Sequence, residues 1–242
     1  MRPPDQEEMT TIVELTAIIA ARDEVDRTAT TVAALRAAFP GAAIWVADDA
    51  SGDGTAEAAM AAGAQVVSRG RPHGKGANVT AAAEAALSAD PPPRLVLLCD
   101  GDLGGSAARL APLVEAVEHG ECDLAVAAFC RRPGGGFGLA LGFARWAIRR
   151  LCGAETEAPI SGQRALRVET LRDCLPFARG FGMEIGITVD AVSAGYRLRE
   201  YELDLEHRAT GRSLRGFLHR GGQLRDFVRV YVSRMRTGRR ES

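Results

Sequence analysis

A chain of 242 residues with 46% hydrophobic and 25% charged residues can bury one sizeable core. Its formal net charge of -1 excludes a general nucleic-acid binder, whose affinity rests on a strongly basic surface. Aromatic residues make up only 5% against 27 glycines, which favours helices packed closely on a sheet over an aromatic-lined sandwich.

Residues 1–10 read as a flexible polar tail without the apolar core of a signal peptide. No apolar run approaches the roughly 20 residues that a membrane-spanning helix needs. Leu15 to Ala20 is the first buried strand and ends in Arg22-Asp23-Glu24. Apolar positions at Val32, Leu35 and Phe39 have helical spacing, and Pro40-Gly41 stops that helix before a strand over Ala43 to Ala47. The run Asp48-Asp49-Ala50-Ser51-Gly52-Asp53-Gly54-Thr55 opens an alanine-rich helix to about Ala62, and Gln65 to Ser68 is the third strand. The loop through His73-Gly74-Lys75-Gly76 enters a helix over Ala77 to about Leu87. Leu95 to Cys99 is the fourth strand, with Asp100-Gly101-Asp102 at its end.

A helix over about Ala107 to Glu118 and a strand over Asp123 to Ala128 extend the alternation. A glycine-rich loop at Gly134-Gly135-Gly136, a helix over Leu139 to Leu151, a strand over Gln163 to Arg167, a helix over Met183 to Ala194 and a strand over Leu198 to Leu203 follow. The pattern predicts an α/β domain over 11–212 with a mostly parallel central sheet flanked by helices, then a basic amphipathic C-terminal helix and tail over 213–242. Cys99, Cys122, Cys130, Cys152 and Cys174 show no C-x-x-C spacing, so a reducing, cytoplasmic setting is expected.

In such sheets ligands bind beyond the carboxyl ends of the strands. Four polar clusters fall there, after the first four strands. Asp100 and Asp102, separated by a glycine that permits a tight turn, are suited to a hard divalent cation that leaves coordination sites for phosphate oxygens. An isolated D-G-D is better explained by a surface turn, but its place directly after an apolar strand reverses that preference in favour of the metal. Asp48, Asp49 and Ser51 are either capping groups or acceptors for nucleoside donors. Gly74 and Lys75 offer N–H groups and an ammonium to an anion, without the Ser or Thr that would complete a Walker A loop. Glu184 is an ordinary first-turn helix carboxylate or a site residue, and His207 is a surface histidine or a metal ligand.

These blocks together resemble the family 2 glycosyltransferases of the GT-A fold. Ile18-Ile19-Ala20-Ala21-Arg22-Asp23-Glu24 is similar to that family's opening segment, Ala47 through Thr55 to its V-D-D-x-S-x-D-x-T block, and Asp100-Gly101-Asp102 to its D-x-D. The second half is similar to the glucosyl-3-phosphoglycerate synthases, through Pro159-Ile160-Ser161-Gly162, Pro176 to Gly186 and His207-Arg208. The resemblance implies a nucleotide-sugar site built from Ala20, Arg22, Glu24, Asp48, Asp49, Ser51, Gly74, Lys75, Asp100 and Gly101. It implies Mg2+ or Mn2+ on Asp100, Asp102 and His207, and Glu184 against the transferred sugar.

The implied reaction moves a hexose from a UDP-glucose or GDP-mannose type of donor to a small phosphorylated acceptor such as 3-phosphoglycerate, with Lys75 and Asp102 assisting departure of the diphosphate. A polyprenyl-phosphate acceptor is the alternative, although Gly104 stands where the dolichyl-phosphate enzymes carry a glutamine. A sugar-phosphate nucleotidyltransferase is the second, but Arg22-Asp23-Glu24 replaces the glycine-rich loop it requires. The arginine-rich C-terminal helix suits packing on the domain, a phosphorylated ligand or peripheral contact with the inner face of a membrane, of which packing is favoured. A homodimer is compatible with the same reading.

Overall fold

The computed structural model describes residues 14–129, 138–205 and 225–235. Apolar runs set between charged loops become the strands β1 (Leu15–Ala21), β2 (Ala43–Asp48), β3 (Gln65–Ser68), β4 (Leu95–Asp100), β5 (Leu124–Phe129), β6 (Arg164–Arg167) and β7 (Leu198–Leu203). They form one sheet in the order β3-β2-β1-β4-β6-β5-β7. β1 pairs in parallel with β2 and β4, as do β2 with β3 and β5 with β7, whereas β6 runs antiparallel between β4 and β5. The sheet is thus mostly parallel, as its alternating strands and helices predict.

The helices are α1 (Val25–Ala38), α2 (Thr55–Ala61), α3 (Lys75–Leu87), α4 (Ala111–Glu118), α5 (Gly138–Cys152), α6 (Val168–Cys174) and α7 (Met183–Ser193), followed by α8 over 225–235. The period-2 geometry of a strand divides β1 and β4 between two cores. Ala17, Ile19, Leu97 and Cys99 face Val32 and Leu35 of α1 and Leu113 and Val117 of α4. Ile18, Val96 and Leu98 face Val79 and Ala83 of α3, Leu171 of α6 and Ile187 of α7. A third cluster joins Ala144 and Ile148 of α5, Ile185 and Val189 of α7, and Phe227 and Val230 of α8.

The C-terminal helix therefore packs Phe227 and Val230 on the domain and leaves Val228 exposed. The expected domain boundary after residue 212, the tail at 1–10 and the Gly134-Gly135-Gly136 loop lie outside the described residues. Among the described residues no helix is long and apolar enough to cross a membrane. The four described cysteines are free thiols, and burial pushes that of Cys174 up to about 12.

Small residues let the functional helices approach closely. A Cβ at Gly76, in the first turn of α3, would collide with the Ala178 carbonyl oxygen, a backbone atom that cannot rotate away. Gly76→Ala should therefore cost about 2 kcal/mol by overpacking, measured by chemical denaturation. Gly52→Ala, which meets open space, should stay within about 0.5 kcal/mol of the parent.

Candidate active site

Register brings the polar strand ends together. Asp100, the last residue of β4, lies opposite Ala20 of β1, and Ala21 lies opposite Asp48, the last residue of β2. Beyond this rim is a cavity of about 630 Å3, a size suited to a small ligand. Ala20, Arg22, Glu24, Asp49, Gly74, Lys75, Asp100, Gly101, Asp102 and Glu184 line it, so ten of the residues singled out in the sequence meet in one place. Asp48 and Ser51 stand outside its wall, and His207 lies outside the described residues.

The loop after β2 is locked to the loop after β1 by side chains acting as caps. The Asp23 N–H donates to Ser51 Oγ (2.9 Å), the Glu24 N–H to Thr55 Oγ1 (2.9 Å) and the Val25 N–H to Asp53 Oδ2 (3.1 Å). The N–H groups that lead into α1, whose N-cap residue makes no side-chain capping bond, find acceptors in this way. The hydrogen bond from Thr55, followed by backbone N–H donors, holds the Asp53 carboxyl below its ordinary value although burial opposes this. Asp48 is likewise turned into its own loop, where it accepts from Ser68 Oγ at 2.7 Å and from the Ser51 N–H at 3.2 Å.

Asp49 organises the other side of the pocket. Its Oδ1 accepts from the N–H groups of His73 (2.7 Å) and Gly74 (3.1 Å) and from the Asn78 amide. Arg69 in turn donates to Asn78 Oδ1 at 2.6 and 2.9 Å. One buried carboxylate thus fixes the loop that delivers Lys75 at the start of α3.

The Lys75 ammonium is held between two carboxylates, at 2.6 Å from Asp100 Oδ1 and 2.7 Å from Glu184 Oε1. Burial alone would lower its pKa, but the charges of Asp100 and Glu184, each backed by a hydrogen bond, outweigh burial and hold it above its ordinary value. The second oxygen of Asp100 accepts from Gln163 Nε2 at 2.9 Å. Gly162 makes room for this cluster, because a Cβ there would lie 2.6 Å from Asp100 Oδ2 and 2.7 Å from Lys75 Nζ. The turn at Gly101 is braced from α1: Thr31 Oγ1 donates to the Gly101 carbonyl (2.9 Å), and Arg27 Nη1 donates to the Asp102 carbonyl (2.9 Å).

Beneath Glu184 lies Arg164, fully buried on β6. It donates to the Ser161 carbonyl and to Thr188 Oγ1, each at 2.8 Å, and tethers the Pro159–Gly162 loop to α7. Burial lowers its guanidinium to about 10, partly offset by the charges of Glu184 and Glu200. Gln163 and Arg164 are absent from the sequence-derived set, although both directly follow the Pro159-Ile160-Ser161-Gly162 block. A buried strand containing arginine is the signal that could have marked them, since such a charge requires built acceptors. Asp226 and Phe227 of α8 also line the cavity; the amphipathic pattern marks Phe227 as apolar, but nothing in the local sequence separates Asp226 from its solvated neighbours.

Among the described residues no three His, Cys, Asp or Glu side chains form a ready-made metal site. Asp100 and Asp102 nonetheless give the pocket hard oxygen donors of the type Mg2+ and Mn2+ take alongside phosphate oxygens, so the donor chemistry fits such an ion.

The family model described as glycosyl transferase family 2 matches residues 16–173. No curated protein sequence matches the chain. Among solved structures, glucosyl-3-phosphoglycerate synthase from Mycobacterium tuberculosis in complex with Mg2+ and uridine diphosphate is 26% identical, with a TM-score of 0.73, over 91% of this chain and 78% of that one. The same enzyme in complex with Mn2+, UDP-glucose and phosphoglyceric acid is 25% identical, with a TM-score of 0.72, over 96% and 85%. A further mycobacterial protein is 28% identical, with a TM-score of 0.73, over 91% and 74%.

The ion triad yields a stability prediction. Lys75→Met leaves Asp100 and Glu184 without their shared cation and should cost about 2–3 kcal/mol, below the cost for a fully buried pair because Lys75 and Asp100 keep some solvent. Adding Glu184→Gln should recover about half of that loss, measured by denaturant unfolding. The lysine pKa is raised on folding, so the lysine's contribution should be complete from neutral pH up to about pH 10. It should decline from there as pH climbs toward the raised value.

Proposed function

Because the chain belongs to glycosyl transferase family 2 and is thus a glycosyltransferase, we propose that it is a metal-dependent hexosyltransferase that uses a UDP-glucose type of donor and a small phosphorylated acceptor such as 3-phosphoglycerate. The observation that carries this reading is the convergence of Asp100, Asp102, Lys75 and Glu184 on one cavity beyond the carboxyl ends of β1, β2 and β4. The donor and acceptor classes are supported by the likeness to glucosyl-3-phosphoglycerate synthase in complex with Mn2+, UDP-glucose and phosphoglyceric acid.

In this reading Asp100 and Asp102, joined by His207, hold a divalent ion. When bound, that ion stabilises the charge developing on the departing diphosphate and orients the donor. The protein supplies the rest. The strand ends carrying Ala20, Arg22, Glu24 and Asp49 receive the nucleoside, with Asp48 and Ser51 setting the shape of the loop behind them. Gly74 and Lys75 stand at the N-terminus of α3, where the dipole favours the diphosphate.

Lys75 fixes the facing directions of Asp100 and Glu184 before any ligand arrives, and its positive charge lowers the cost of negative charge in the pocket. Glu184 is almost wholly buried and aimed at the cavity, which suits it to accept hydrogen bonds from sugar hydroxyls at the reacting ring. The buried Phe227 and Val230 of α8 support a C-terminal helix that braces the pocket over one laid on a membrane.

The test is product formation from UDP-glucose with 3-phosphoglycerate, in Mg2+ or Mn2+ and in chelator, beside a panel of other sugar nucleotides and phosphorylated acceptors. Transfer should require the metal, and Asp102→Ala should lower it on the order of 100-fold. An absence of metal-dependent transfer across the panel would sink the reading.

A further inference from the structure

Glu184 depends on a helix that is distant in sequence. α7, which carries it, begins at a Gly182 N-cap that makes no side-chain capping bond. Besides Glu184 itself, a carboxylate at this end comes from α8, where Asp226 Oδ2 accepts the Phe181 N–H at 3.3 Å, just ahead of α7. Two glycines make the approach possible. A Cβ on Gly180 would collide with the Asp226 carboxylate, and one on Gly182 would collide with the Val230 side chain. Gly180 also has a φ of +62°, which few other residues adopt.

At its other end α8 is fastened to α7 by Arg234, whose Nε and Nη2 donate to the two oxygens of Asp190 at 2.7 and 2.5 Å. Phe227 and Val230 are buried between these two polar attachments. The Gly180 turn faces the lysine loop as well, since a Cβ on Gly74 would lie 3.5 Å from the Gly180 backbone. The turn is therefore clasped between the start of α3, which carries Lys75, and α8. Among the described residues, Arg225 and Arg229, at 3.8 and 3.6 Å from Asp226 Oδ1, are the cations facing the Asp226 carboxylate.

We propose that Asp226 is a positioning residue of the transfer reaction: its carboxylate pins the Gly180–Gly182 turn and thereby holds Glu184 in register with Lys75 and Asp100. This rests on the cavity being the transfer site. α8 is then the fourth side of that site, and its contribution to activity passes through Glu184. The carboxylate supplies both an acceptor for the Phe181 N–H and a negative charge at the start of α7.

The experiment compares full-length parent, Asp226→Ala and Asp226→Asn, each also in a Glu184→Gln background, by transfer kinetics, melting temperature and amide hydrogen exchange over 180–184. Asp226→Ala should lower kcat about tenfold while the donor KM moves less than about threefold, and it should cost little more once Glu184→Gln is present. Asp226→Asn keeps an acceptor oxygen and should recover most of the loss. Exchange over 180–184 should rise about fivefold or more in Asp226→Ala. Equal losses in both backgrounds, a loss that only follows the melting temperature, or unchanged exchange would overturn the proposal. If the parent itself transfers nothing, the functional reading fails, and the exchange measurement alone then shows whether Asp226 pins the turn.

Discussion

The site depends on one ammonium group. Lys75 lies between Asp100, at the end of a central strand, and Glu184, on a helix packed across the sheet. Two carboxylates this close repel one another and lose hydration on burial, so holding both of them ionised there depends on the shared cation. The surrounding structure serves to deliver that cation. Asp49 gathers the loop before Lys75, Gly76 lets α3 begin against the Ala178 backbone, and Gly162 leaves the space in which the three charged groups meet.

The sheet explains why these groups share a place. Parallel β1, β2 and β4 end on the same edge, and their register sets Ala20 beside Asp100 and Ala21 beside Asp48. The antiparallel β6 serves a different purpose. By entering the sheet between β4 and β5 in the reverse direction, it brings the loop before it, with Gly162 and Gln163, to the carboxyl end of β4. Its buried Arg164 then joins that loop to α7, so the two halves of the chain meet at Asp100.

Much of this was legible in the sequence because burial leaves a strong local signature. The apolar runs of β1, β2 and β4, and the Asp-rich turns that follow them, mark both the strands and the rim of the site. β6 was harder to read in its orientation, since the four residues Arg164–Arg167 follow whichever strand edges are available and carry no directional signal of their own. α6 is a single seven-residue helix and was not foreseen. Asp48 and Ser51 were legible as a block, but their turning into the loop depends on Ser68 and Asp23. Asp226 was invisible for a related reason: its role arises from contact with Gly180 and Phe181, which lie far from it in sequence.

Calorimetric titration of UDP into the full-length protein, with Mn2+ and then with excess chelator, tests whether this rim is a metal-assisted nucleotide-sugar site. Binding should weaken at least about tenfold when the ion is removed, since Asp100 and Asp102 alone would repel the diphosphate. UDP binding of equal strength in chelator, or no UDP binding in either condition, would rule out a metal-assisted site here.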